Sequence, residues 1–125
     1  MAYCRTGEYP IYYEEAGRGL PVVLVHGHGV DLRIWDDVVP LLSDAGLRVI
    51  RYDVRGHGRS YAPDTGYTWE AYVADLKALV SHVGLEEAAV VGFSMGGGIA
   101  LSFAQNHPER TAALALVSAA LPGFT

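Results

Sequence analysis

The stretch VVGFSMGGG at residues 90–98 predicts an apolar strand, then one serine between glycines, then a helix. A serine in a very tight strand-to-helix turn holds unusual backbone angles, and side chains two residues before and after it would collide. Gly92 and Gly96 occupy those two positions and remove the side chains. We expect the turn to lift the Ser94 hydroxyl above the sheet edge, at the positive end of the helix, where an attacking alkoxide is stabilised.

Short apolar runs predict the other strands of the same sheet. Four segments carry this pattern: Val22–Val25, Leu47–Tyr52, Ala88–Val91 and Leu114–Val117. Continuous apolar runs of this length are typical of parallel strands that are covered on both faces. Two tyrosine-rich segments, 2–6 and 10–15, predict an antiparallel hairpin around Gly7-Glu8 at the N-terminus.

Helical patterns lie between the predicted strands. Thr68 is a candidate N-cap for a helix whose apolar residues recur at helical spacing up to Val83, and Gly84 ends it. A shorter helix is predicted from about Val38 to Ala45, and a third continues from the serine turn to residue 106. Strands alternating with helices predict an α/β fold with a doubly wound, mostly parallel sheet.

Glycine clusters follow three of the predicted strands. Gly27 and Gly29 follow the first, Gly56 and Gly58 the second, and the glycines around Ser94 the third. Ligands of open α/β sheets bind outside the carboxyl ends of the strands. This rim of the sheet is therefore the candidate site.

Composition limits the class of protein and its partners. The 125 residues predict a single domain (1–125), half of them are hydrophobic, and 9 basic against 14 acidic residues give a net charge of −5. No basic patch favours nucleic acid or membrane as a partner. Cys4 is the lone cysteine and the N-terminus lacks the apolar core of a signal peptide, so we expect a cytoplasmic protein. No metal-ligand spacing or phosphate-binding loop is present, and we expect no cofactor.

Three motifs in this order carry a family resemblance. They are HGHG at residues 26–29, DVRGHGRS at residues 53–60, and the serine turn. Together they resemble the N-terminal half of the α/β-hydrolase superfamily, and most closely its branch of small esterases, enol-lactonases and C–C bond hydrolases. The resemblance implies half of that fold, with an N-terminal antiparallel hairpin and without the cap and the last strands.

The resemblance also implies roles for individual residues. Ser94 matches the position of the nucleophile, and the backbone N–H groups of His28 and Met95 match the two donors of the oxyanion hole. A serine here, and not an aspartate, favours ester or lactone substrates over the chemistry of dehalogenases and epoxide hydrolases. The resemblance gives His26 a bracing role at the strand end.

Other polar residues of the motifs are interpreted as structural. Local hydrogen bonds are expected to order the loop through Asp53, Arg55, His57 and Ser60. His82 and His107 are interpreted as structural or solvated. A lesser alternative makes His57 or His28 a substitute base for Ser94.

The family's triad histidine and acid have no counterpart in this sequence. Some relatives place the acid after the strand matching Leu114–Val117, but Ser118–Leu121 holds no carboxylate. The same strand would form an apolar, uncharged sheet edge. We therefore expect a homo-oligomer that pairs these edges, or a separate polypeptide that supplies the C-terminal half.

Three readings stay open for the function. The first is a serine hydrolase of a small ester or lactone, with histidine and acid from elsewhere. The second is a catalytically silent half-domain that serves as a self-assembling or ligand-binding module. The third is a fragment of a longer hydrolase.

Overall fold

The protein forms one mixed sheet with helices on both faces. The computed structural model describes residues 2–6 and 9–119. Within them the sheet has the order β1-β2-β4-β3-β5-β6. Its strands are β1 (Ala2–Thr6), β2 (Tyr9–Ala16), β3 (Leu20–Val25), β4 (Leu47–Tyr52), β5 (Ala88–Phe93) and β6 (Thr111–Val117).

The strand directions confirm the predicted topology. The pairs β3–β4, β3–β5 and β5–β6 are parallel, whereas β1–β2 and β2–β4 are antiparallel. The N-terminal hairpin is therefore present, with Thr6 opposite Tyr9. The turn predicted at Gly7-Glu8 lies outside the described residues. Parallel order with helical crossovers brings the carboxyl ends of β3, β4 and β5 to one edge, as the glycine clusters predicted.

The helices also lie where the sequence pattern predicted them. They are α1 (Val38–Asp44), α2 (Trp69–His82) and α3 (Met95–Asn106), with short 3-10 turns at Leu32–Trp35 and Pro108–Arg110. Thr68 caps α2, because its hydroxyl oxygen accepts a hydrogen bond from the N–H of Ala71 at 3.1 Å. The predicted cap is confirmed.

Alternating residues of the central strand β3 point into two separate cores. Val23 and Val25 belong to a large cluster formed with α2 and α3, whereas Val22 and Leu24 pack on the face that α1 covers. All four are buried. The continuous apolar run of this strand is thus explained by burial on both faces.

Strand β6 forms one edge of the sheet. Within the described residues it pairs only with β5. Leu114, Leu116 and Val117 are 37%, 40% and 45% exposed, which is unusual for large apolar residues of a parallel sheet. The predicted apolar edge is confirmed.

Candidate active site

Ser94 occupies a strained turn between β5 and α3. Its backbone angles are φ 56° and ψ −120°. A residue other than glycine rarely adopts such angles, which cost about 1–3 kcal/mol and persist only when the surroundings enforce them. The N–H of Ser94 donates to the carbonyl of Val117 at 3.0 Å, and the N–H of Gly97 donates to the carbonyl of Ser94 at 2.9 Å. The predicted strained turn is confirmed.

The flanking glycines are required by close backbone contacts. A methyl group on Gly92 would overlap the carbonyl of Gly96, and a methyl group on Gly96 would overlap the carbonyl oxygens of Val25 and His26. The first turn of α3 therefore packs directly against the end of β3. This confirms the steric reason for the glycine spacing.

The loop of residues 26–29 lies against the serine. A Cβ placed on Gly27 would come within 3.0 Å of the Cβ of Ser94. His28 is the next residue in this loop, and its side chain is exposed. Met95 begins α3, so its N–H has no acceptor within the helix. The two predicted main-chain donors thus belong to the two segments that flank Ser94.

The buried ring of His26 braces the loop of residues 26–29 through two hydrogen bonds. Its ring is fully buried; Nε2 accepts from the N–H of Val54 at 2.9 Å, and Nδ1 lies 2.7 Å from the carbonyl oxygen of Gly27. Since Nε2 accepts, the ring proton is on Nδ1 and donates to Gly27. Burial lowers the pKa of His26 below its ordinary value of 6.5, which keeps the ring neutral. The predicted bracing role is confirmed.

The burial of His26 predicts a loss of stability in mild acid. The unfolded chain takes up a proton on His26 below pH 6.5, whereas the folded chain resists it. The free energy of unfolding should therefore fall by up to about 2 kcal/mol between pH 8 and pH 5. Urea unfolding across this range measures the loss.

The contribution of His26 can be separated from those of other titrating groups by its pH range and by a control variant. The pKa of Asp31 is lowered from 3.8, first by its side-chain hydrogen bond with Arg33, so its contribution is lost only below that pH. A His82→Asn variant should keep the loss between pH 8 and pH 5. An NMR titration in which the His26 ring protonates near pH 6.5 would contradict the prediction.

The loop of residues 53–60 is ordered by its own polar groups. The Asp53 carboxylate accepts from the N–H groups of Leu32 and Arg59, both at 2.9 Å. The Ser60 hydroxyl donates to the carbonyl of Asp53 and accepts from the N–H of Tyr12 at 2.8 Å. The structural interpretation of Asp53 and Ser60 is confirmed.

His57 is engaged through both ring nitrogens. Nδ1 lies 3.0 Å from the carbonyl oxygen of Arg55, and Nε2 accepts from the N–H of Gly29 at 3.2 Å. These contacts confirm a structural role for His57 and count against it as a substitute base. Within residues 2–6 and 9–119, no histidine is hydrogen-bonded to Ser94.

The partner of Arg55 was missed by sequence reasoning. The Arg55 guanidinium makes two hydrogen bonds to Asp75 on α2, from Nε to Oδ2 at 2.9 Å and from Nη2 to Oδ1 at 2.8 Å. Both side chains are buried. The hydrogen bonds to Asp75 raise the pKa of Arg55 above its ordinary value. The sequence did contain one indication of this pair: Asp75 is an acidic residue between Val73 and Leu76 on the apolar stripe of α2, where a buried carboxylate requires a partner.

Two other histidines lie away from the serine turn, as predicted. His82 ends α2 and packs edge-on against Tyr13, with ring centroids 5.6 Å apart. His107 follows α3, and its Nδ1 lies 3.7 Å from Glu109.

The charged groups near the rim form no candidate metal site. A cavity of about 270 Å³ beside the 53–60 loop is lined by residues of both signs, including Glu14, Asp31, Arg33 and Arg59. In the described part of the chain, no group of three histidine, cysteine or acidic side chains could hold a metal ion. Among the same residues, no helix has the length and apolarity needed to cross a bilayer.

Comparison with known proteins places these features in a family. The family model described as alpha/beta hydrolase fold matches residues 21–124. The non-heme chloroperoxidase of Streptomyces lividans is 42% identical over 115 residues, which cover 90% of this chain and 42% of that protein. The soluble epoxide hydrolase of Corynebacterium sp. is 37% identical, over 81% of this chain and 35% of that protein.

A solved structure shows the same architecture. The esterase EaEST from Exiguobacterium antarcticum superposes with a TM-score of 0.93 at 36% identity, over 99% of this chain and 47% of the esterase. The chain spans less than half the length of each of these three relatives. With the family model matching most of its residues, the chain belongs to the alpha/beta hydrolase fold family.

Proposed function

We propose that this chain is the nucleophile-bearing half of a serine hydrolase that acts on small carboxylic esters or lactones. The observation that carries the proposal is Ser94 at φ 56° in a glycine turn that only close backbone contacts can enforce. Strain of this kind is retained where the position of a side chain matters. If residue 94 served only to form the turn, glycine would suffice, since glycine adopts such angles without strain. A strained serine at this position therefore supports a role for its hydroxyl.

The proposed reaction has two steps. The Ser94 Oγ attacks the substrate carbonyl carbon while a base takes its proton, and the N–H groups of His28 and Met95 hold the developing oxyanion. Collapse expels the alcohol, protonated by the same base, and leaves an acyl-serine that water hydrolyses to the acid. Removing one oxyanion donor typically lowers the rate about 10²–10³-fold.

The identity of the nucleophile limits the substrate. A serine ester releases its acyl group to water attacking the acyl carbon, so a carboxylic ester or lactone fits the chemistry. Relatives named for different activities share this half of the fold, among them an esterase and an epoxide hydrolase. The residue at position 94 therefore supports the ester or lactone class more directly than overall similarity does.

The histidine and acid are proposed to come from a complementary half. The relatives are more than twice as long as the parts that match this chain. The uncharged edge of β6, with Leu114, Leu116 and Val117 exposed, offers main-chain groups to a further strand. The alternative partner is a second copy of this chain, paired edge to edge through Leu114–Val117. Sedimentation of a compact monomer at micromolar concentration, with no binding of an added C-terminal half, would rule out both.

Labelling with a fluorophosphonate tests the nucleophile. This probe phosphonylates activated serines, because the serine oxygen attacks phosphorus and displaces fluoride, so mass spectrometry should locate one phosphonate adduct on Ser94 in the assembled protein. Ser94→Ala should abolish the adduct, whereas Ser81→Ala, a change on the exposed surface of α2, should leave it unchanged. No adduct on Ser94 in any assembly state would reject the proposed hydrolase.

A catalytically silent binding or assembly module is the second candidate. It is favoured by the absence of a histidine bonded to Ser94 in the described residues. Hydrolysis of p-nitrophenyl acetate separates the two readings, because turnover that is unchanged in Ser94→Ala supports the silent module.

We also propose a reducing, cytoplasmic location, in line with a single cysteine that is buried.

A further inference from the structure

Two reciprocal hydrogen bonds join the loops 26–29 and 53–60, because a histidine of each loop accepts from a main-chain N–H of the other. His26 belongs to the first loop and accepts from Val54 of the second, whereas His57 belongs to the second and accepts from Gly29 of the first. Their rings meet edge to face with centroids 5.1 Å apart. Each histidine uses Nε2 as the acceptor and has Nδ1 on a main-chain carbonyl.

We propose that His57 is a positioning residue that, together with His26, aims the N–H of His28 at the oxyanion. The inference rests on the proposed function of Ser94. The carbonyl of Gly27 and the N–H of His28 belong to one planar peptide unit, in which they point in opposite directions. His26 Nδ1 holds that carbonyl at 2.7 Å. The His28 N–H is thereby turned away from His26.

The next peptide unit is held by His57. The N–H of Gly29 belongs to the peptide that follows His28, and it donates to His57 Nε2 at 3.2 Å. Gly29 is exposed, its φ is +79°, and a Cβ placed on it would have no neighbour within 4 Å. Packing therefore contributes little at this point, and the hydrogen bond to His57 restrains the outer side of the loop. His28 lies between two peptide units that two histidines hold.

The ring of His57 is oriented for this task. Its Nδ1 lies 3.0 Å from the carbonyl of Arg55, so the proton resides on Nδ1 and the lone pair of Nε2 faces Gly29. The ring also contacts that of His28 edge-on, at 5.5 Å between centroids. Arg55 is itself fixed by Asp75, so the support extends to α2.

Hydrogen exchange of the Gly29 amide tests the contact directly. In protein labelled with ¹⁵N-glycine, His57→Phe keeps a ring but removes the acceptor, and the exchange rate of Gly29 should rise about fivefold to tenfold, the effect of one hydrogen bond. His57→Gln places an acceptor near the position of Nε2 and should restore most of the protection. His82→Phe should leave the rate unchanged. Equal exchange of Gly29 in His57→Phe and the wild type would overturn the proposal.

A parallel measurement separates this inference from the proposed function. Fluorophosphonate labelling of Ser94 should slow about tenfold in His57→Phe, less than the 10²–10³-fold loss of a whole donor, and recover in His57→Gln. Urea unfolding shows whether both variants are as stable as the wild type. A stable His57→Phe protein with faster Gly29 exchange and unchanged labelling would overturn the positioning role. If the wild type itself does not label, the proposed function fails, and Gly29 exchange still decides whether His57 holds the loop.

Discussion

The Gly96→Ala variant is expected to lose about 3 kcal/mol or more of its free energy of unfolding. The added methyl group would overlap the carbonyl oxygens of Val25 and His26, which are main-chain atoms that cannot rotate aside. In an open helix the same change stabilises by up to about 1 kcal/mol, because alanine is the better helix former. The sign of the effect thus reports whether α3 contacts the end of β3.

Urea denaturation followed by far-UV circular dichroism measures this loss. Gly84→Ala is the matched control: its φ is +78° but its Cβ would meet no neighbour within 4 Å. The control should lose about 1–2 kcal/mol, the cost of a left-handed conformation alone. A Gly96→Ala protein as stable as the wild type would contradict the close approach of the serine turn to β3.

The parts of the fold that depend on local sequence were predictable. The bounds of β4, Leu47–Tyr52, match the apolar run, and the Thr68 cap follows from one hydroxyl before a periodic segment. The strain at Ser94 was predictable for the same reason, because the glycines that permit it are its near neighbours in sequence. By contrast, β6 begins at Thr111, three residues before the predicted Leu114. Its start is set by pairing with Ala88, which the alanines of β6 do not signal.

Contacts between distant residues of the candidate site were not predictable. His57 and Gly29 are 28 residues apart, and their hydrogen bond depends on how two loops meet at the sheet edge. A motif gives the residue types in each loop but not the pairs that form between loops. The bracing role of His26 was predicted through resemblance, whereas its acceptor contact with Val54 required the structure.

The Arg55–Asp75 pair was not predictable for the same reason, since its members are 20 residues apart on a loop and a helix. Asp75→Ala is expected to lower the free energy of unfolding by about 3–5 kcal/mol, because it leaves a guanidinium buried without its counter-charge. Thermal and urea unfolding measure the loss. The control Asp31→Ala removes the partner of the exposed Arg33 and should produce a much smaller change.

A double variant distinguishes an unpaired charge from lost packing. Arg55→Met combined with Asp75→Leu removes both charges and keeps apolar volume, so it should recover much of the stability that Asp75→Ala loses. Recovery would show that the unpaired buried charge, and not the missing carboxylate volume, destabilises the single variant. Because Arg55 also offers its carbonyl to His57, the single variant should further accelerate exchange at Gly29. An Asp75→Ala protein that is as stable as Asp31→Ala would contradict a buried ion pair between the loop and α2.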